Sequence, residues 1–188
     1  MSAVSTPTRY KLSVEDYHKL GEAGVLTEDS RVELIEGELI EMAPIGSRHA
    51  GTVSRLHDLL YEQTRDLALV WQQNPVTLLP RSEPQPDLML LKYRADHYVD
   101  ALPTAADALL IIEVSDTSLE YDRGEKLRLY ASHAIAEYWI VDVPAKRFEV
   151  YREPGPKGYS RKLECATGDT VSPQALPQVK VRIGEVFA

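Results

Sequence analysis

The sequence predicts an α/β fold in which helices cover both faces of a central sheet. Residues 106–115, ADALLIIEVS, form a mostly apolar run with almost no alternation, which is typical of a central strand buried on both faces. From about His49 to Leu67, apolar side chains recur at helical spacing beside polar ones, which predicts an amphipathic helix lying on the sheet. The order of elements from His49 to Val143 is then helix, strand, strand, strand, helix, strand.

A helix and a hairpin are predicted ahead of this core. Ser13 and Asp16 have the spacing of a capping box, so a helix should begin directly after Ser13. Two short β-prone stretches within residues 31–42 flank Glu36-Gly37 and predict a tight β-hairpin that carries Glu33.

The remaining elements follow from β-branched and aromatic runs and from one further capping pattern. They are strands at 70–80 and 86–91, a helix from Asp122 to about Ala131, and a second hairpin with arms at 137–142 and 147–152. Pro75 should interrupt the first of these strands, because proline cannot donate to a sheet ladder. The tail after Gly155 suggests short peripheral strands rather than another domain.

Length and composition predict one globular domain over residues 1–188, with its core at about 31–152. The chain is 44% apolar and 27% charged, which is ordinary for a globular protein. No run of about 18 apolar residues suggests a membrane span. The N-terminus lacks the pattern of a signal peptide, and the single cysteine, Cys165, suits a reducing compartment. We therefore expect a cytoplasmic protein without membrane partners.

The charge balance weighs against a strong nucleic-acid binder. The net charge is −8, with 29 acidic and 21 basic residues, so the whole molecule should repel a polyanion unless basic groups cluster or metal ions intervene. Carboxylates gathered for a metal count as negative only until the metal arrives, so an acidic nuclease remains open.

Three residues carry the candidate chemistry. Asp87 follows Pro86 at the start of an apolar run, Glu113 lies within the most apolar run of the chain, and Lys126 follows in the next predicted helix. Adjacent strands lie about 4.8 Å apart, so the two carboxylates can converge on Mg²⁺, or Mn²⁺ in its place, with the Val114 carbonyl as a third ligand. Lys126 would orient or deprotonate water, or stabilise transition-state charge, as phosphodiester cleavage requires.

Plainer interpretations compete for each of these residues. Lys126 and Asp122 have the spacing of a helical ion pair worth about 0.3–0.5 kcal/mol, and spacing alone favours that interpretation. Asp87 could simply belong to a turn, whereas Glu113 must be solvated, paired or bound to a cation. His49 could be a solvated or capping residue at a helix start. Three tyrosines are expected to pack in the core or at its rim: Tyr121, Tyr130 and Tyr138.

Motifs of other chemistries do not occur in the sequence. It contains no G-x-S-x-G elbow, no phosphate-binding G-x-x-x-x-G-K-[ST] loop, no H-E-x-x-H pair and no dinucleotide glycine fingerprint. We therefore expect no organic cofactor.

The order PD…EVS…DRGEK…Y…EYWIVD resembles the PD-(D/E)xK nuclease superfamily and, within it, the Uma-type restriction endonuclease family. The similarity runs from about Tyr10 to the C-terminus. The segments that carry it are specific together, although each alone is not: VELIEGELIEM, residues 46–49, QPDLMLL, ADALLIIEVSDTS, DRGEKLRLYASHAIAEYWIVD and VRIGEVF.

The resemblance implies which residues form the site. In most of the superfamily a lysine follows the acid by two residues, where this chain has Ser115. The Uma-type family resembles a variant in which the lysine has moved to the next helix, and Lys126 matches that place. The resemblance thus implies Asp87, Glu113 and Lys126 as the catalytic set, with Glu33 and His49 as accessories.

It also implies a restriction-endonuclease-like fold, with a mixed central sheet flanked by helices and with added N-terminal and C-terminal β-hairpins. A divalent cation, a homodimer and DNA as the substrate are implied as well. Two alternatives remain open: a catalytically inactive, dimeric interaction module on the same fold, and a nuclease that acts on RNA or single strands.

Overall fold

The computed structural model describes residues 8–27 and 29–188. In chain order, these residues form α1 (Val14–Glu22), β1 (Val32–Ile35), β2 (Glu38–Glu41), α2 (Ser47–Thr64), β3 (Ala68–Gln72), β4 (Leu88–Lys92), β5 (Ala108–Ser115), α3 (Leu119–Tyr121), α4 (Leu127–Ser132), β6 (Glu137–Asp142), β7 (Arg147–Gly155), β8 (Gly158–Cys165), β9 (Thr170–Val171), β10 (Val181–Arg182) and α5 (Ile183–Val186). A π-helical turn, Asp122–Lys126, joins α3 to α4. None of the described helices is long and apolar enough to cross a membrane.

A six-stranded mixed sheet forms the centre of the molecule, in the order β3-β4-β5-β6-β7-β8. Strands β5 and β6 are parallel, and every other neighbouring pair is antiparallel. The helical segment from α3 through α4 is the crossover that a parallel pair requires. Small antiparallel sheets, β1-β2 and β9-β10, accompany it. The predicted α/β fold with a mixed, helix-flanked sheet and added hairpins is confirmed.

Both faces of the central sheet are buried, as the apolar run of β5 predicts. Leu110 and Ile112 of β5 pack against Leu56 of α2 and the C-terminal segment. On the opposite face, Ile111 packs in a second cluster with Tyr130 of α4. The chain after β8 also adds buried side chains to the first cluster: Val171, Leu176, Val179, Val181, Ile183 and Val186.

The N-terminal helix and hairpin lie where the capping and turn residues of the sequence predict them. Ser13 and Asp16 form the predicted capping box at the start of α1. The β1-β2 hairpin turns at Glu36 and Gly37, both at positive φ, and a Cβ on Gly37 would lie 2.8 Å from the Lys11 Cβ. Glycine is therefore required at this turn for both conformation and space.

Two predicted helix boundaries are wrong. Helix α2 spans Ser47–Thr64 rather than 49–67, because Arg65 leaves the helical conformation with ψ of 130°. The helix predicted to begin at Asp122 instead begins at Leu119. Asp122 lies inside the helical segment, where its carboxylate accepts hydrogen bonds from Ser115 and Ser118 rather than capping a helix.

Candidate active site

The site lies where β4 begins and β5 ends. The antiparallel register pairs Leu88 with Ile112, which brings Asp87 beside Glu113. The Asp87 amide lies 3.4 Å from Glu113 Oε2, and the Val114 amide donates to Asp87 Oδ2 at 2.8 Å. The two predicted carboxylates therefore converge at one edge of the sheet.

Lys126 joins this pair from the π-helical turn. Its Nζ donates to Glu113 Oε1 at 3.0 Å and to Glu33 Oε1 at 2.8 Å. All three side chains are buried, with Lys126 only 5% exposed. The alternative of an ion pair with Asp122 is wrong, because the π turn directs the lysine to these two glutamates and Asp122 binds two serine hydroxyls.

Glu33 is buried, and its contacts link β1 to the site. Besides accepting from Lys126, its Oε1 accepts a hydrogen bond of 2.7 Å from the Gln85 amide, two residues before Asp87. A carboxylate with two such donors is fixed in orientation. Through these two hydrogen bonds, Glu33 connects the hairpin to the segment before β4 and to Lys126.

His49, in the first turn of α2, also reaches the site. Its Nε2 lies 2.9 Å from Asp87 Oδ1. The hydrogen bond to Asp87 raises the pKa of His49 above its ordinary value, although burial opposes the shift. The helix N-cap is Gly46, so His49 does not cap the helix and instead contacts Asp87.

Burial and charge determine the protonation of the central pair. Burial raises the pKa of Glu113, with Lys126 opposing the shift and Asp87 adding to it. Burial would lower the pKa of Lys126, but the Glu113 and Glu33 carboxylates outweigh it and raise that pKa. The ammonium therefore stays charged near neutral pH. The Tyr130 hydroxyl donates to Glu113 Oε1 at 2.7 Å, so this buried tyrosine does more than pack.

These side chains line a cavity of about 610 Å³ that the β1-β2 hairpin partly encloses. The cavity wall also contains Tyr121, whose hydroxyl is buried and has no hydrogen-bond partner among the described residues. An unpaired buried hydroxyl carries a free-energy cost that a ligand could relieve. The sequence offered no signal for this position, since nothing distinguished Tyr121 from the tyrosines expected to pack.

The donor set fits Mg²⁺ held jointly with a substrate better than a closed metal cage. Within residues 8–27 and 29–188, no group of three or more His, Cys, Asp or Glu side chains is arranged to hold a metal ion. Mg²⁺ usually binds one or two carboxylates and completes its shell with water and phosphate oxygens. Within the part of the chain that the structure describes, Glu113 Oε2 has only the long 3.4 Å contact with the Asp87 amide, so it can accept such a cation beside Asp87.

Comparison with known proteins bears on this arrangement. The model of one family, Uma2, described as "Putative restriction endonuclease", matches residues 14–184. This chain belongs to the Uma2 family. The family match contains the whole constellation from Glu33 to Lys126, and it confirms the resemblance to the Uma-type family inferred from the sequence.

A solved structure supports the fold of this Uma2 member. The crystal structure of a putative nuclease belonging to DUF820 from Anabaena variabilis ATCC 29413 aligns with a TM-score of 0.72 at 17% identity. The alignment covers 94% of this chain and 97% of that one. At this identity the match shows a shared fold. No curated protein matched the chain.

Proposed function

We propose that this protein is a Mg²⁺-dependent endonuclease that hydrolyses DNA phosphodiester bonds, with Mn²⁺ able to substitute. The observation that carries the proposal is the convergence of Asp87, Glu113 and Lys126 in one cavity. Two carboxylates and an ammonium at such distances suit phosphoryl chemistry, where negative charge must be neutralised and water positioned. Membership of the Uma2 family supports the same reaction class.

Asp87 and Glu113 would hold the cation, together with the Val114 carbonyl. The cation would neutralise charge on the phosphoryl oxygens and make a bound water more nucleophilic. His49 holds Asp87 in place through a contact of 2.9 Å, and the Val114 amide fixes the second oxygen of the same carboxylate. Both carboxylates are thus oriented before any substrate arrives.

Lys126 supplies a fixed positive charge. Since its pKa is raised and its ammonium is held by Glu33 and Glu113, it serves as a donor that orients water or stabilises the developing charge on the phosphoryl group. Its three protons allow a third hydrogen bond beyond the two glutamates. Proton abstraction by Lys126 would first require loss of this proton, which the two carboxylates oppose.

The same proposal includes duplex DNA as the substrate and a homodimer as the active form. One chain contributes one set of Asp87, Glu113 and Lys126, whereas cutting both strands of a duplex within a single complex takes two sets. Light scattering after size exclusion tests the dimer, because a monomeric mass at micromolar concentration would contradict it.

The test of activity compares the wild type with Asp87→Asn on supercoiled and linear DNA, in Mg²⁺, Mn²⁺ or EDTA. Asp100→Asn is the matched control, because Asp100 is an exposed aspartate outside the cavity. We expect metal-dependent nicking by the wild type and the control, and at least a hundredfold loss in Asp87→Asn. Circular dichroism verifies that each variant is folded.

Three other outcomes of the cleavage test would contradict or change the proposal. Equal cleavage by the wild type and Asp87→Asn would contradict the assigned site. Cleavage of RNA or single strands alone would replace duplex DNA as the substrate. No cleavage of any nucleic acid, combined with no Mg²⁺ or Mn²⁺ binding by calorimetry, would favour an inactive interaction module.

A further inference from the structure

A second cavity lies beside the active site, on the other side of the start of α2. It has a volume of about 370 Å³. Of the described residues that line it, none is acidic and three are basic: Arg48, Arg55 and Lys146. We call this feature the basic groove and define it by these three residues.

The basic groove adjoins the active site through consecutive residues of α2. Gly46 and His49 line the active-site cavity, whereas Ser47 and Arg48 line the groove. Arg48 Nη2 also lies 3.0 Å from Asp116 Oδ1, and Asp116 lines the active-site cavity. The two cavities are therefore neighbours at the start of α2, within one helical turn of each other.

The positive charge of the groove is available for a ligand. Among the described residues, Arg55 and Lys146 form no ion pair, and Arg48 is 68% exposed despite its contact with Asp116. The whole chain has a net charge of −8, so a cluster of three cations, of which only Arg48 is paired among the described residues, departs from the rest of the molecule. Such a local cluster attracts a polyanion that the net charge would otherwise repel.

The spacing of the cations suits a phosphodiester backbone. Arg48 and Arg55 are seven residues apart on one face of α2, which places them roughly 10 Å apart along the helix axis. Successive nucleotides of one B-DNA strand rise about 3.4 Å, so this spacing spans about three nucleotides. Between them lies Gly51, where an added Cβ would meet no atom within 4 Å, so the floor of the groove is open.

We propose that the basic groove binds the sugar-phosphate backbone of the nucleic-acid strand whose scissile phosphate enters the active site. The identity of this ligand rests on the proposed function, but its binding can be measured without cleavage. The three cations contact phosphates and carry no base-specific information, so binding is independent of sequence.

The test measures fluorescence anisotropy of a labelled duplex in EDTA, at salt concentrations from 50 to 200 mM. Arg55→Ala/Lys146→Ala removes two groove cations. Lys157→Ala/Arg161→Ala removes two exposed cations at the far edge strand, β8, and its turn, and is the matched control. We expect about tenfold weaker binding at 50 mM salt for the groove variant, and a salt slope smaller by about 1.8, because each phosphate contact contributes about 0.9.

Charge addition at Gly51 provides a second test that does not remove any side chain. Gly51→Glu places a carboxylate on the open groove floor, while Gly51→Gln adds nearly the same volume without charge. Glutamate should weaken binding severalfold, whereas glutamine should leave it within about twofold. Neither should unfold the protein, because glycine is a poor residue in a helix interior.

The outcomes separate this inference from the proposed function. If the wild type binds neither a duplex nor an RNA nor a single strand, the proposal that the groove binds nucleic acid is overturned. A groove variant that binds the duplex as tightly as the control variant would overturn it as well. Cleavage that persists at the wild-type rate in the groove variant at 200 mM salt would also overturn it. A wild type that binds through the groove but never cleaves with Mg²⁺ or Mn²⁺ would contradict only the proposed function.

Discussion

Lys126 donates a hydrogen bond of 2.8 Å to Glu33, a residue 93 positions earlier in the chain. This contact ties the helical crossover of the central sheet to the N-terminal hairpin, and both residues are buried. The hairpin is thereby part of the site and not a peripheral addition.

Lys126→Met should destabilise the fold as well as abolish cleavage. It leaves Glu33 and Glu113 buried without their counter-charge, and removing one partner of a buried ion pair costs about 3–5 kcal/mol. Urea unfolding followed by circular dichroism measures the change. Arg128→Met, which removes an exposed pair with Glu125, should cost less than about 1 kcal/mol. Equal losses in the two variants would contradict the buried arrangement.

Adding Glu113→Gln to Lys126→Met should recover part of the stability, because one unpaired carboxylate is removed. It should not recover cleavage, since the double variant lacks both the Lys126 ammonium and the Glu113 carboxylate, a proposed cation ligand. Recovered cleavage would show that neither group takes part in the reaction.

Tyr121 and Tyr130 should respond oppositely to loss of their hydroxyls. Tyr121→Phe removes a buried hydroxyl without a partner, so stability should hold or rise while cleavage falls at least tenfold if the hydroxyl contacts substrate. Tyr130→Phe removes a donor to Glu113 and should cost about 1–3 kcal/mol. Thermal melts beside nicking rates distinguish the two. Unchanged nicking by Tyr121→Phe would remove Tyr121 from the site.

His49 should titrate above its ordinary pKa of 6.5 in metal-free protein, because of its hydrogen bond with Asp87. A raised folded pKa stabilises the protein fully below the unfolded pKa, and this stability is lost as pH rises through the folded value. Histidine ring signals in NMR report the titration. Asp87→Asn should lower the pKa, and no change would contradict the contact.

Glu149 should control acid stability independently of the site. Burial would raise its pKa, but hydrogen bonds from Arg123, Tyr151 and Lys162 outweigh it and lower the pKa to about 2. A lowered folded pKa gives stability above the unfolded value of 4.5, and this is lost as pH falls toward 2.

The loss should reach about 2–3 kcal/mol over that range. Urea midpoints measured between pH 2 and 6 test it. Glu149→Gln should be less stable at pH 7 and should lose less stability on acidification. An identical acid profile in the variant would assign the transition to other carboxylates.

Local patterns in the sequence predicted most of the secondary structure. The capping box of Ser13 and Asp16, the Glu36-Gly37 turn and the unbroken apolar run of β5 depend on neighbours in the chain, so they are visible in one sequence. The start of α3 was missed because the π turn lets Asp122 bind Ser115 instead of capping a helix.

Candidate site residues were less well determined. A buried acid in an apolar strand indicated Glu113, yet Glu137 and Glu149 are equally buried and lie in structural pairs with Arg152 and Arg123. Sequence periodicity cannot distinguish these acids, because it reports burial and not the partner that burial provides.

By itself, the sequence determined the α/β class, the order of elements from α2 to β7, the family and the chemical types available to a site. It did not predict that β8, in the tail after Gly155, is an eight-residue strand of the central sheet. Only the tertiary structure decided that Glu33, His49, Asp87, Glu113 and Lys126 share one cavity, with the Tyr121 hydroxyl in its wall. The physical reason is that helix and strand signals act over a few residues. Convergence instead depends on strand register, on the parallel crossover between β5 and β6, and on a π turn that rotates one lysine into the core.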